Sequence, residues 1–184
     1  TIVTFDMIRQ TYKDKYKNLP TVLTIHNLEY QGVFDTYVAR FFNSEFSYDY
    51  IHFDKVNFIK AGILKATKIN TVSPNYKNEI LTRAFGFTLD GQLNNRHNDL
   101  SGILNGIDAS VFNPKTDPFI KNYDHVNHLE GKLANKRELF SQFNLKFDIN
   151  KPLISYIGRY ANQKGIWMIS EILEILINQT NANF

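Results

Sequence analysis

The chain has 184 residues, 43% of them hydrophobic and 14% aromatic, enough to bury a sizeable core in one domain or in parts of two. Lysine and arginine total 21 against 18 for aspartate and glutamate, and a formal charge of +3 spread this evenly argues against a nucleic-acid or polyanion surface. With no cysteine there is no disulfide framework, no thiolate catalysis and no thiolate metal site.

No apolar run approaches the length of a membrane span. The opening TIVTFDMIRQ lacks the basic start and apolar block of a signal peptide, and no membrane partner is expected. A cytoplasmic location is the expectation, with which the absence of cysteine is compatible. The chain begins at Thr1 without an initiator methionine and is expected to be a fragment. There is no internal repeat or low-complexity tract, and the sequon Asn178-Gln179-Thr180 reads as chance.

In chain order, Phe5, Ile8, Tyr12 and Tyr16 recur at helix-like intervals among lysines and arginine, predicting an amphipathic helix over 2–16. After Pro20, TVLTI (21–25) reads as a strand that gives out at His26-Asn27. From Asp35 to Asp54 the chain is irregular, with Phe41, Phe42, Phe46, Tyr48, Tyr50 and Phe53 in quick succession. Such a run suits a sugar or base cage, and more often packs a short helix and loop onto a core. Val56, Ile59, Ile63 and Ala66 form the stripe of a second helix, and KINTV (68–72) a further strand. Ser73-Pro74 then reads as an N-cap with proline at the first helical position, opening a helix through Leu81. A ligand contact by Ser73 is the lesser alternative.

A turn at Asp90-Gly91 leads through polar QLNNRHNDL to a strand over 101–104, which ends at Asn105-Gly106-Ile107-Asp108. Taken alone, that Asn-Gly is a tight turn. Residues 110–127 turn polar, with Pro114 and Pro118, and read as a connector. His125 and His128 beside Asp124 have a spacing a metal site uses, but without a third ligand they read as a wet linker. A helix over 131–143 follows, with Leu133, Leu139 and Phe140 inward.

The stretch PLISYIGRYANQKG (152–165) is the most informative. Residues 153–157 read as a buried strand of the parallel type that stops at Gly158, and Ile166, Ile169, Leu173 and Leu176 recur at helical spacing after Gly165. Arg159 and Lys164 thus flank a strand-to-helix turn, where the helix N-terminus attracts anions. A guanidinium fork with a mobile ammonium suits a diphosphate, although two solvated loop cations would look the same by spacing alone. The spacing is not that of a Walker loop.

Strands alternating with helices predict parallel sheets covered on both faces. His26, Asn105 and Arg159 each follow a predicted strand closely. Parallel strands would put His26 and Asn105 on one carboxyl edge and Arg159 with Lys164 on the edge of a second sheet, the place where open α/β folds bind nucleotides.

TVLTIHNLEYQG, VNFIKAGILKA, TVSPNYKNEI, the Leu89-Asp90-Gly91 corner, LSGILNGID with FNPKTDP, Asn135-Lys136 and IGRYANQKG together resemble the central part of the bacterial glycogen synthase and plant starch synthase family. The resemblance covers nearly the whole chain. It implies an α/β fold of GT-B architecture, with parts of two Rossmann-like parallel-sheet domains truncated at both ends. Residues 1–108 would be the carboxyl-side part of the N-terminal domain, and 109–184 the interdomain connector and the start of the C-terminal domain. It further implies retaining transfer of glucose from ADP-glucose to the non-reducing end of an α-1,4-glucan such as glycogen, with no metal and no cofactor.

By position in the matching motifs, the resemblance gives His26 and Asn27 to the donor glucose and Asn105 to the sugar near the domain junction. It gives Arg159 and Lys164 to the donor diphosphate and to the charge that grows on it as the glycosidic bond breaks. The family's amino-terminal KxGGL loop and the glutamate motif of its carboxyl domain do not occur in these residues, so the 184 residues alone are expected not to catalyse transfer. Glu29 stands where a small residue is common in the family, and Gly158 where serine is common. Two alternatives stay open: a related GT-B transferase using UDP-glucose, and a truncated, inactive remnant that binds glucan or nucleotide sugar.

Overall fold

The structure is a computed structural model that describes Ile8 and residues 12–41 and 48–184. The chain divides into two compact units, Thr1–Gly106 and Ile107–Phe184. In chain order the first unit holds α1 (Lys13–Tyr16), β1 (Val22–Ile25), β2 (Val33–Asp35), β3 (Ile51–His52), β4 (Lys55–Asn57), α2 (Phe58–Lys65), β5 (Lys68–Thr71), α3 (Pro74–Ile80), α4 (Asp90–Asn95) and β6 (Leu100–Gly102). Of the helix expected over 2–16, Ile8 and α1 are the described helical residues, and Phe5 lies outside the described residues.

β1, β5 and β6 pair in parallel with β5 central, and Ile25, Thr71 and Gly102 are level at their carboxyl ends. One face of this sheet is dry, with Ile25, Ile69 and Leu100 packed against Ile63 of α2, Ile80 of α3 and Leu93 of α4. The other face is open: Thr24, Lys68 and Ser101 are exposed, and Val22 is 62% exposed. Cover on both faces, expected from the alternation, is therefore corrected to cover on one among the described residues. The chain steps one way across the sheet, from β1 to β5 to β6, and right-handed crossovers then put every connecting helix on the same side.

Local chemistry explains the helix ends. Asn57 caps α2, its Oδ1 accepting the Lys60 N–H at 2.8 Å. At the other end Arg96 Nη1 donates to the carbonyls of Ile63 (2.7 Å) and Leu64 (3.1 Å), and Nη2 to those of Ala66 (2.8 Å) and Thr67 (3.3 Å). A fixed cation thus satisfies carbonyls that a helix C-terminus leaves unpaired, with the sign the helix dipole favours. Arg96 is held in turn by Asp99, which accepts from Arg96 Nε at 3.0 Å and from Lys68 at 2.7 Å. These two donors hold the Asp99 carboxyl below its ordinary range.

Two expectations shift here. The Asp90-Gly91 corner is not a turn but the first residues of α4, with an acidic side chain at the positive helix end. Val56 belongs to β4 rather than to the stripe of α2, because β2, β3 and β4 form an antiparallel sheet of their own in the order β2-β4-β3. Phe53 and Asp54, both left-handed at φ 46° and 57°, make the two-residue link between β3 and β4 that a type I′ hairpin demands. Tyr50 joins Val56 and Ala61 in a small core, so the packing reading of the aromatic run holds for that ring. Phe41, Tyr48 and Phe53 are exposed, and Phe42 and Phe46 lie outside the described residues.

In the second unit, residues 107–127 contain no helix or strand. α5 (His128–Gln142) pins this segment: Asn135 accepts the Lys121 N–H at 2.7 Å and donates to the Lys121 carbonyl at 2.9 Å. Gly131 is required there, since a Cβ would lie 2.2 Å from Cβ of Tyr123. Phe140 is buried as expected and Leu133 half-buried, but Leu139 is 38% exposed.

The strand expected over 153–157 is absent. Only Leu153 bridges, in parallel with Asn183, through Ile154 N–H to the Asn183 carbonyl and Asn183 N–H to the Pro152 carbonyl, both 2.9 Å. A parallel strand needs neighbours along its length. The described residues supply one, and Ile157 is 95% exposed. α6 (Ile166–Thr180) has the expected stripe of Ile166, Ile169, Leu173 and Leu176 half-buried, while Trp167, Met168 and Ile172 on its other sides are exposed. Among the described residues, no helix is long and apolar enough to cross a membrane.

Candidate functional site

The carboxyl edge of the parallel sheet carries the first group of candidate residues. His26 directly follows Ile25, the last residue of β1, and its side chain is exposed. Asn27 turns the chain back on itself, its Oδ1 accepting the Glu29 N–H at 2.9 Å. Asn105 lies three residues beyond the end of β6, exposed, in a loop whose first residue Ile103 donates its N–H to the Thr71 carbonyl at 2.8 Å. Because the three strands end level, His26 and Asn105 leave the same edge, with the Ser73-Pro74 turn after β5 between them.

That central turn is closely packed. Ser73 Oγ accepts the Tyr76 N–H at 2.8 Å, so the capping reading is the one realised. Gly102 abuts the turn, and a Cβ on it would lie 2.3 Å from the Ser73 carbonyl oxygen, so only glycine ends β6 here. Two further contacts reach the His26 segment. The Thr71 hydroxyl donates to the Ile25 carbonyl at 2.8 Å, and the Tyr76 hydroxyl accepts the Leu28 N–H at 3.0 Å.

The loop after His26 is anchored as well. Gln31 Nε2 donates to the Phe87 carbonyl at 2.9 Å, and its Oε1 accepts from Asn57 Nδ2 at 2.6 Å. Phe87 and Thr88 are left-handed, at φ 45° and 70°, and Thr88 Oγ1 pairs with His52 Nε2 at 2.8 Å. His52 titrates below its ordinary value, chiefly because it is partly buried and secondly because Lys60 is near. A β-branched residue at positive φ is strained, and these partners hold it.

The second unit carries the cations. Arg159 and Lys164 lie in the loop before α6 and are both exposed. The Arg159 carbonyl accepts from the Tyr156 hydroxyl and from the Ala161 N–H, each at 2.8 Å. Lys164 ends a one-turn helix, Asn162–Lys164, and Gly165 follows at φ 68° to turn the chain into α6. Both cations precede the start of α6, but the strand of the expected strand-to-helix turn is absent. His128 Nδ1 pairs with the His125 carbonyl at 2.9 Å, and among the described residues no group of three or more His, Cys, Asp or Glu is placed to hold a metal.

Thr71, Tyr76, Gln31 and Arg96 were not legible as contributors in the sequence. Each acts on a backbone group thirty or more residues away or on a partner brought close only by the sheet, and no local spacing marks such a contact.

The family model for the starch synthase catalytic domain matches residues 2–95. The glycogen synthase of Acholeplasma laidlawii is 56% identical over 171 residues, covering 92% of this chain and 36% of that protein. The glycogen synthase of Clostridium novyi is 41% identical over 186 residues, covering 97% of this chain and 39% of that protein. The chain therefore spans well under half the length of these curated relatives. Among solved structures, the catalytic domain of starch synthase IV from Arabidopsis thaliana bound to ADP and acarbose superposes with a TM-score of 0.83 at 30% identity, over 98% of this chain and 38% of that one. Its α/β fold, which is GT-B, and its sequence agree: the chain belongs to the glycogen synthase and starch synthase family.

Proposed function

We propose that the protein carrying these residues is a glucosyltransferase that moves glucose from ADP-glucose to the non-reducing end of an α-1,4-glucan, with retention of configuration. The observation that carries this reading is the 56% identity to a glycogen synthase over 92% of the chain. The ADP bound to the starch synthase IV structure favours the adenine nucleotide as donor. On the same likeness to bacterial glycogen synthases the reaction is assigned to the cytoplasm.

In this reading His26 and Asn27 bind the donor glucose and Asn105 the sugar beside it. Arg159 and Lys164 hold the diphosphate. The departing group gains negative charge as the glycosidic bond breaks, so the cations bind the transition state more tightly than the ground state, which is the condition for a rate gain. Preorganised donors at such a developing anion are typically worth about 3 kcal/mol each, or roughly a hundredfold or more in rate. The arginine offers a planar fork and the lysine a point charge, so the two are not interchangeable. Catalysis needs no metal or cofactor in this scheme.

Incorporation of radiolabelled glucose into glycogen by the purified full-length protein tests the reading. Transfer from ADP-glucose well above that from UDP-glucose is expected, and preference for UDP-glucose would make the protein a different GT-B transferase. We further propose that residues 1–184 alone do not turn over, since they span 36% of the Acholeplasma enzyme. Robust incorporation by that polypeptide would contradict this.

A further inference from the structure

We propose that Thr71 and Tyr76 are positioning residues that fix the His26–Asn27 turn for transfer; this rests on the reading that His26 meets the donor sugar. The ladder between β1 and β5 reaches its last pair at Ile25 and Thr71. Beyond that pair the backbone leaves the sheet, and two side-chain hydroxyls take over from the ladder. Thr71 Oγ1 donates to the Ile25 carbonyl at 2.8 Å, on the peptide that enters His26. Tyr76 Oη accepts the Leu28 N–H at 3.0 Å, on the peptide that leaves Asn27. The two peptide groups bounding the His26–Asn27 pair are therefore both held, one from β5 and one from α3.

Neither hydroxyl is needed to fill space. Thr71 is buried between Ile25 and the core, where valine has the same shape, and the Tyr76 ring packs on the apolar cluster, where phenylalanine would pack equally. What the oxygen atoms add is direction. Each is itself anchored: Thr71 by its place on the central strand, Tyr76 by its N–H to Ser73 Oγ at 2.8 Å. Thr71 also accepts the Ile103 N–H on its carbonyl at 2.8 Å, so the same residue fixes the start of the loop that carries Asn105. Displacement of a reacting contact by about 1 Å costs on the order of a hundredfold in rate. A partial loosening of this turn is expected to cost about tenfold in kcat, on the same argument.

The experiment measures glucose transfer from ADP-glucose into glycogen by the protein as its gene expresses it, with Tyr76→Phe, Thr71→Val, Thr71→Ser, His26→Ala and the double variants on His26→Ala. The expected result is a loss of about a hundredfold in kcat for His26→Ala. Tyr76→Phe and Thr71→Val are each expected to lose about tenfold in kcat with the glycogen KM unchanged, and Thr71→Ser to restore most of the rate. Added to His26→Ala, Tyr76→Phe and Thr71→Val should each cost clearly less than the roughly tenfold they cost alone, because they act through His26 and only the share passing through Asn27 remains. If His26→Ala is crippled but Tyr76→Phe is as fast as the unsubstituted enzyme, or costs the same factor in both backgrounds, the positioning role is overturned while the donor-site reading stands. If His26→Ala transfers at the full rate, the donor-site reading itself falls and takes this proposal with it. Should Thr71→Val fail to fold, Tyr76→Phe decides, with amide exchange at Leu28 as a second readout. Faster exchange confined to residues 26–30 supports the role, and unchanged exchange overturns it.

Discussion

The two units of the chain put their candidate residues on supports of opposite kind. In the first, His26 and Asn105 leave a parallel sheet whose inner face is packed by three helices, and the backbone beside them is held by buried or half-buried hydrogen bonds. In the second, Arg159 and Lys164 sit on a loop preceded by a single bridge instead of a strand, and Phe140 and Ala182 are its buried hydrophobic residues. The difference matches what each pair is proposed to do. A sugar ring is recognised by direction, which needs fixed donors and acceptors, whereas a diphosphate is recognised by charge, which long cationic side chains deliver from a less constrained base.

Removal of apolar side chains should cost the two units very unequally. Ile69→Ala, at the fully buried centre of the first core, should cost about 3 to 4 kcal/mol in denaturant unfolding. Ile172→Ala on the exposed side of α6 should cost less than about 1 kcal/mol, and equal costs would contradict the difference in burial between the two sites. Lys164→Ala in the full-length protein should lower kcat by about a hundredfold, close to 3 kcal/mol on the barrier. Unchanged kinetics would make Lys164 a surface charge only.

Arg96→Ala should destabilise the first unit by about 2 kcal/mol or more, because several helix-end carbonyls and Asp99 lose their shared donor. Arg96→Lys should recover little of it, since an ammonium cannot reach four carbonyls in one plane.

The smallest effect is in pH. His52 is held below its ordinary 6.5, so the unfolded chain takes up its proton first. Its contribution is complete above pH 6.5 and is lost as the pH falls below that value. Asp99, Asp108 and Asp124 are all held below their ordinary 3.8, so their contributions are complete above that value and are lost as the pH falls through the lowered native ones. Thermal melts should therefore decline in two separate steps on acidification. His52→Gln should remove the upper step, and a single step in the unsubstituted chain would contradict the His52 assignment.

Legibility from sequence followed the same division. The first parallel sheet could be read because β-rich runs such as TVLTI and KINTV end sharply at polar residues and Ser73-Pro74 marks a helix start. The antiparallel sheet could not, since β2, β3 and β4 have two or three residues each, too short for alternation to show. The strand over 153–157 was legible as a pattern and is nevertheless not formed, because an apolar run specifies a strand only where neighbours pair with it. Candidate polar residues were found where they follow strands. The residues that hold them, Thr71 and Tyr76, were hidden because their partners are distant in sequence.

His26 and Asn105 leave the edge of a packed sheet, whereas Arg159 and Lys164 sit on a loop with a single bridge before it. Native-state amide exchange on the 184-residue chain measures whether this difference is one of rigidity. Slow exchange at Ile69 to Thr71 and at Leu28, with fast exchange at residues 155–165, is the predicted result. Protection of 155–165 equal to that of β5, or a Leu28 amide that exchanges as freely as that loop, would contradict it.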